Sequence, residues 1–168
     1  MFENVRADLR AHNGDWGAQG FWALLVYRFG RWRYGIKWVL ARKLCSLIYK
    51  VLYKLVQIFA GIELPCEVVL GKNFIIDHSG GIVISGYARF GDNCRIRSGV
   101  VVGLSRVDEP CAPSIGSNVD IGAGAKVLGR VTVGDNVLIG ANAVVIRDVP
   151  ANSIAVGVPA VVKPRGEQ

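Results

Sequence analysis

Two histidines, His12 and His78, are the side chains of this 168-residue sequence best suited to move a proton near neutral pH. His12 lies in a stretch with Gly14 and Asp15 that carries no recognisable motif. His78 stands in Ile75-Ile76-Asp77-His78-Ser79-Gly80-Gly81-Ile82, where an apolar run ends in polar residues and glycines. That pattern predicts a strand running into a corner, with the imidazole at the rim and not in the core. A neutral imidazole placed so can take the proton of a hydroxyl while the oxygen attacks an acyl group. A structural, hydrogen-bonding histidine is the competing reading. Other chemistries find no support: there is no P-loop, no zinc-ligand spacing and no paired-carboxylate hydrolase motif, so no metal is expected. Cys45, Cys66, Cys94 and Cys111 form no C-x-x-C pair, and no cleavable secretory signal opens the sequence. They read as packing thiols in a reducing, cytoplasmic setting.

The elements that must position His78 announce themselves by a change of period. From Ile36 to Ala60 the apolar residues recur three or four apart, which predicts one amphipathic helix ending near Gly61. Lys37, Lys43, Lys50 and Lys54 interrupt it too often for a membrane span. A shorter helix is expected from Gly20 to Tyr34, interrupted by Gly30 and Gly35. After Leu64-Pro65 the period becomes six. Ile115, Ile121, Val127, Val133, Ile139 and Val145 are followed, four residues on, by Val119, Ala125, Val131, Val137, Ala143 and Val149. Upstream, Ile84, Phe90, Ile96 and Val102 keep step, with Ala88, Cys94 and Val100 at the second position, and His78 falls one period before Ile84.

Six residues with two inward side chains describe a short strand and a corner, and three such units close a triangular coil. Gly91, Gly103, Gly116, Gly122, Gly134 and Gly140 follow the aliphatic residue and supply permissive corner backbone. Gly122-Ala123-Gly124 looks superficially like a dinucleotide loop, but it sits inside the unbroken repeat. From Val102 to Ile115 is thirteen positions where a multiple of six is expected, so a loop leaves the stack there. The fold class is therefore mainly β, a parallel β-helix with a short N-terminal α-helical region, divided into 1–62 and 63–168. The N-terminal helices are the expected cap of the stack.

Residues 1–62 hold ten Lys/Arg against three Asp/Glu, and residues 63–168 hold ten against ten, so the whole net charge of +7 belongs to the helical region. Basic residues among Trp16, Trp22, Trp32 and Trp38 suit either a peripheral contact with an anionic membrane, at the inner face, or a subunit contact with solvated lysines. Nucleic acid is not expected as a partner, since no recognition module accompanies the charge.

Gly61-Ile62-Glu63-Leu64, Ile76-Asp77-His78, the six-residue repeats and Gly157-Val158-Pro159-Ala160 together resemble the hexapeptide-repeat acyltransferases. The serine acetyltransferase branch is the most similar, and Phe2-Glu3-Asn4-Val5-Arg6-Ala7-Asp8-Leu9-Arg10 resembles its opening. The resemblance implies a left-handed β-helix, a homotrimer that can pair into a dimer of trimers, and acetyl-CoA as donor. It implies His78 as general base and Glu63 as the acid that orients it; Asp77, next to the base, reads either as an assisting carboxylate or as an exposed corner residue. It further implies that the donor lies between subunits along Gly103, Ala123, Gly124 and Ala141, and the tail around Gly157-Val158-Pro159-Ala160, with Lys126, Arg147, Lys163 or Arg165, is the candidate contact for its phosphates.

One departure bears on the acceptor. In that branch the loop ends in an Arg-His-Pro that holds the amino-acid acceptor, whereas this sequence has Cys111-Ala112-Pro113 there. A loop so altered, with a shortened helical part, resembles the O-acetyltransferases of exopolysaccharide and capsule synthesis. The expectation drawn from it is an O-acetyltransferase acting on a sugar hydroxyl, with Arg106 and Asp108 touching the glycan. The alternatives are serine O-acetylation and a membrane-associated scaffold without catalysis.

Overall fold

The six-residue period folds into a triangular prism of stacked coils, preceded by helices α1 (Phe2–Ala11), α2 (Gln19–Trp32) and α3 (Val39–Ala60). The computed structural model describes residues 2–106, 108 and 111–166. The first face of the prism carries Ile62–Glu63, Ile82–Ile84, Val101–Gly103, Lys126–Leu128 and Val144–Val145, paired in that order. The second carries Val69–Leu70, Arg89–Phe90, Ser114–Ile115 and Thr132–Val133. The third carries Ile75–Asp77, Arg95–Arg97, Asp120–Ile121, Leu138–Ile139 and Ser153–Val156, with Val161–Pro164 turning back antiparallel on its last member. All other named pairings are parallel, as a solenoid requires. Both sets of aliphatic positions read from the sequence fill the interior: Ile121, Val127, Val119 and Ala125 are fully buried.

Register corrects the reading in two places. Ile76 pairs with Ile96, and Ile84 with Val102. The step from the third face to the first is thus eight residues at Ile76–Ile84, where Ile96–Val102 takes six. Ile76 occupies the inward column, two surplus residues bulge at that corner, and His78 stands off the column as its polar surroundings predict. Likewise Val102 and Ile115 lie on adjacent faces, a step that ordinarily needs six residues, so the loop adds seven and not one.

The corner glycines also act differently from expectation. Gly91, Gly116 and Gly134 do not have positive φ; their successors' backbone lies so near that an added Cβ at Gly91 would sit 2.7 Å from the Gly116 carbonyl carbon. Left-handed backbone falls instead on Asn73, Asn93, Asn118, Asn136 and Asn152, at φ between 53° and 58°. Their side-chain amides hydrogen-bond in series at 2.9–3.1 Å, a ladder running the length of one prism edge.

A first coil has no predecessor to satisfy its backbone groups, and the helical cap supplies partners from side chains. The Tyr27 hydroxyl donates to the Val68 carbonyl (2.9 Å) and accepts from Leu70 N–H (3.3 Å). Tyr49 accepts from Cys66 N–H (3.0 Å), and His12 Nε2 accepts from Ile76 N–H (3.3 Å). Arg28 donates to the Gly71 carbonyl (3.2 Å) while its guanidinium forms a buried pair with Asp8, Nε to Oδ2 at 2.9 Å. Gly30 does not interrupt α2; it lets the helix touch Tyr49 and Cys66, where an added Cβ would stand 2.5 and 2.7 Å away.

Helix α3 begins at Val39 and stops at Gly61, whose φ of 62° gives the left-handed C-terminal cap. Its far side leaves Leu40, Leu44, Leu47, Val51, Leu55 and Ile58 exposed. No helix among the described residues is long and apolar enough to cross a membrane.

Candidate active site

The bulged corner lifts His78 out of the stack. Its backbone is left-handed, at φ 62°, and its side chain is exposed. Non-glycine residues held there cost of order 1–3 kcal/mol, and such strain concentrates at working sites. Gly80 and Gly81, also at positive φ, return the chain to the first face, where Gly80 N–H bonds the Ala60 carbonyl (2.9 Å). The corner is braced from the cap: the Ser79 hydroxyl donates to Gln19 Oε1 at the start of α2. Gly20 packs directly on the strand before the corner, and a Cβ there would lie 2.2 Å from the Ile76 carbonyl oxygen.

Between cap and prism the corner opens on a cleft of about 590 Å³, lined by His12, Asn13, Asp15, Gln19, Asp77, His78, Ser79 and Arg95 among others. His12 is buried in its wall. Because Nε2 accepts from Ile76 N–H, the ring proton resides on Nδ1, which donates to the Asp8 carbonyl at 2.7 Å. Both nitrogens are committed, which makes His12 a clasp between α1 and the prism and leaves His78 as the histidine open to a substrate.

The acidic residues divide. Asp77 pairs with Arg95, Oδ2 to Nη1 at 3.2 Å, at the half-exposed cleft wall. Glu63 is exposed on the outer side of the first face, one coil before Val83. Among the described residues no hydrogen bond joins Glu63 to His78. Ala123, Gly124 and Ala141 share His78's prism edge, as the chain of bonds from Gly99 N–H to the Gly80 carbonyl, Gly124 N–H to Ser98 and Asn142 N–H to Ala123 demonstrates. Lys126 lies along the same edge, its ammonium donating to the carbonyls of Gly99 (2.6 Å) and Gly124 (2.9 Å). Gly103 does not join them; it stands at the opposite border of the first face, where the long loop departs. Arg106 and Asp108 are exposed on that loop, on the far border from His78 within one chain. Val107, Glu109 and Pro110 of the loop lie outside the described residues.

The sequence reading missed Arg95, Asp15 and Gln19. Arg95 had a usable signal: once the coil through His78 is counted as twenty residues, Arg95 and Arg97 fall beside Asp77 on the outer side of the third face.

Residues 112–147 match the family described as bacterial transferase hexapeptide (six repeats). A serine acetyltransferase of Helicobacter pylori strain J99 is 39% identical over 142 residues, covering 84% of this chain and 79% of that protein. The serine acetyltransferase of Synechococcus elongatus is 38% identical over 141 residues, 83% of this chain; the chain spans only 55% of that relative's length. A crystal structure of serine acetyltransferase in complex with coenzyme A from Brucella abortus strain S19 superposes with a TM-score of 0.82 at 27% identity, covering 97% of this chain and 67% of that one. These similarities overturn the expectation of a sugar-hydroxyl acceptor and of an exopolysaccharide or capsule enzyme with a glycan partner. That expectation gave one loop dipeptide, Cys111-Ala112, more weight than it bears, since the loop stands off the stack whereas the likeness runs through cap, corner and coils alike. With His78 raised on its bulged corner, Ala123, Gly124, Ala141 and Lys126 along the same edge and the match extending over 79% of the Helicobacter pylori relative, this chain belongs to the serine acetyltransferase family of hexapeptide-repeat transferases.

Proposed function

We propose that the protein is an acetyl-CoA-dependent serine O-acetyltransferase in which His78 is the general base. The observation that carries this reading is the exposed imidazole on a strained, two-residue bulge that opens on a cleft and shares its edge with Ala123, Gly124, Ala141 and Lys126. His78 takes the hydroxyl proton as the serine oxygen attacks the thioester carbonyl. The new C–O bond forms as the C–S bond breaks, and the proton passes to the departing coenzyme A sulfur. Glu63, two residues beyond the Gly61 corner on which the bulge rests, is assigned to orient the imidazole and to stabilise its protonated form. The corner amides along the edge are assigned to the donor. The loop bearing Arg106 and Asp108 is assigned to the His78 of a neighbouring subunit, because within one chain the first face separates them. A homotrimer provides that arrangement.

The test is coenzyme A release from acetyl-CoA in the presence of L-serine, followed as free thiol. Wild-type protein is expected to show serine-dependent release, and His78→Ala to lose about 10²- to 10⁴-fold in kcat with an unchanged circular dichroism spectrum. No serine-dependent release from the wild type refutes the reading and leaves a scaffold, and full activity in His78→Ala refutes the role of the base.

A further inference from the structure

We propose that Arg95 anchors the carboxylate of the acceptor, so that the cleft selects an α-amino acid over a simple amino alcohol. This deepens the serine reading and rests on it.

Among the described residues Arg95 is the only Lys or Arg lining the cleft that holds His78. The other cations nearby are committed elsewhere. Arg97 forks onto the carboxylate of Asp120 with both terminal nitrogens, and the ammonium of Lys126 is spent on two corner carbonyls. Arg95 is placed differently: its contact with Asp77 uses Nη1, and its side chain remains 44% exposed toward the cleft and solvent. A guanidinium fork with open N–H groups is the geometry that receives a carboxylate through two parallel hydrogen bonds.

The rest of the wall suits the same ligand. Arg95 balances Asp77, which leaves Asp15 as the uncompensated anion of the cleft. One Asp15 oxygen accepts from Gly17 N–H (2.7 Å), fixing the carboxylate, and the second is available to an ammonium group. Separated charges of both signs beside a base describe a receptor for a small zwitterion bearing a hydroxyl. The pairing with Asp77, the residue before His78, sets the Arg95 guanidinium beside the same corner of the cleft, so a carboxylate held there brings the hydroxyl of the same small molecule toward the imidazole.

The experiment compares L-serine with ethanolamine, which keeps the ammonium and the hydroxyl and lacks the carboxylate. The wild type is expected to prefer serine in kcat/KM. Arg95→Gln is expected to lose about 10- to 100-fold toward serine, the range for one charge-assisted hydrogen-bonding partner, mainly in KM, and distinctly less toward ethanolamine. Arg95→Lys should fall between, since it keeps the charge and loses the fork. Equal losses toward both acceptors in Arg95→Gln would mean that Arg95 merely steadies Asp77 and His78, and would overturn the anchor while leaving serine acetylation intact. A wild type that treats both acceptors alike also overturns it, and one that releases no coenzyme A with serine removes the underlying reading as well.

Discussion

Replacing Gly20 by alanine sets two physical effects of opposite sign against each other. Alanine is favoured over glycine in a helix interior by about 0.8–1 kcal/mol, and Gly20 lies in the first turn of α2. Against this, the new Cβ would stand 2.2 Å from the Ile76 carbonyl oxygen and 2.7 Å from the Ile76 Cβ. Carbon atoms rest about 3.5 Å or more from their neighbours, so α2 must retreat by roughly 1 Å. The obstacle is strand backbone inside the prism and cannot rotate away. Overpacking of this kind costs about 1–3 kcal/mol, occasionally more, and with the propensity gain subtracted a net loss of up to about 2 kcal/mol remains. The same retreat pulls Gln19 from Ser79 and moves one wall of the cleft. Misplacements of about 1 Å near a reacting centre can lower rates some 100-fold. Urea denaturation and kcat/KM for serine are the assays, with Gly35→Ala, which meets nothing within 4 Å, as control. A Gly20→Ala protein as stable and as active as the wild type would refute the claim that this close approach positions the corner.

Two further outcomes follow from buried groups. Asp8→Ala strands the Arg28 guanidinium, whose side chain is 9% exposed, and is expected to cost about 3–5 kcal/mol in urea denaturation, with much of the loss recovered by adding Arg28→Met; a loss below about 1 kcal/mol would place the pair among surface ion pairs. Burial pushes the Cys94 thiol up to about 11, with Asp92 and Asp135 adding to the rise. At pH 8 roughly one molecule in a thousand then carries the thiolate, so Cys94 should resist a disulfide reagent in the native protein and react in urea. Because the unfolded thiol ionises first as pH rises, this group's contribution to stability is intact below pH 9.0 and is lost as pH climbs toward 11. Rapid native labelling of Cys94 at pH 8 would contradict its burial.

Much of the prism was legible because its core obeys one rule: Ile115, Ile121, Val127, Val133, Ile139 and Val145 recur six apart and all are buried. The rule failed where the chain serves the site. His78 kept numerical step with Ile84 while lying on a bulge, since counting alone cannot distinguish an inward residue from two surplus ones when the flanking residues Ile76 and Ile82 are both apolar. The asparagine ladder escaped notice because its members are spaced by whole coils of unequal length, and only register brings Asn73, Asn93 and Asn118 together. His12 lacked any local motif because its partners, Asp8 and Ile76, come from α1 and from a strand 64 residues away. Arg95 lay outside the sequence reading for a similar reason: its significance depends on Asp77 in the preceding coil. The acceptor was misjudged from an altered loop and a short helical part, whereas the cation lining the cleft belongs to the prism.

The side chains that complete the first coil have a consequence for assembly. A stack of parallel strands presents, at each terminus, a row of amides and carbonyls able to recruit another stack. Here one terminus is plugged by an imidazole, two phenols and a guanidinium, and the other is crossed by a returning strand that ends in Lys163 and Pro164. Strand-by-strand growth from the capped terminus is thereby opposed, while the flat faces of the prism and the exposed side of α3 stay open to contact between copies.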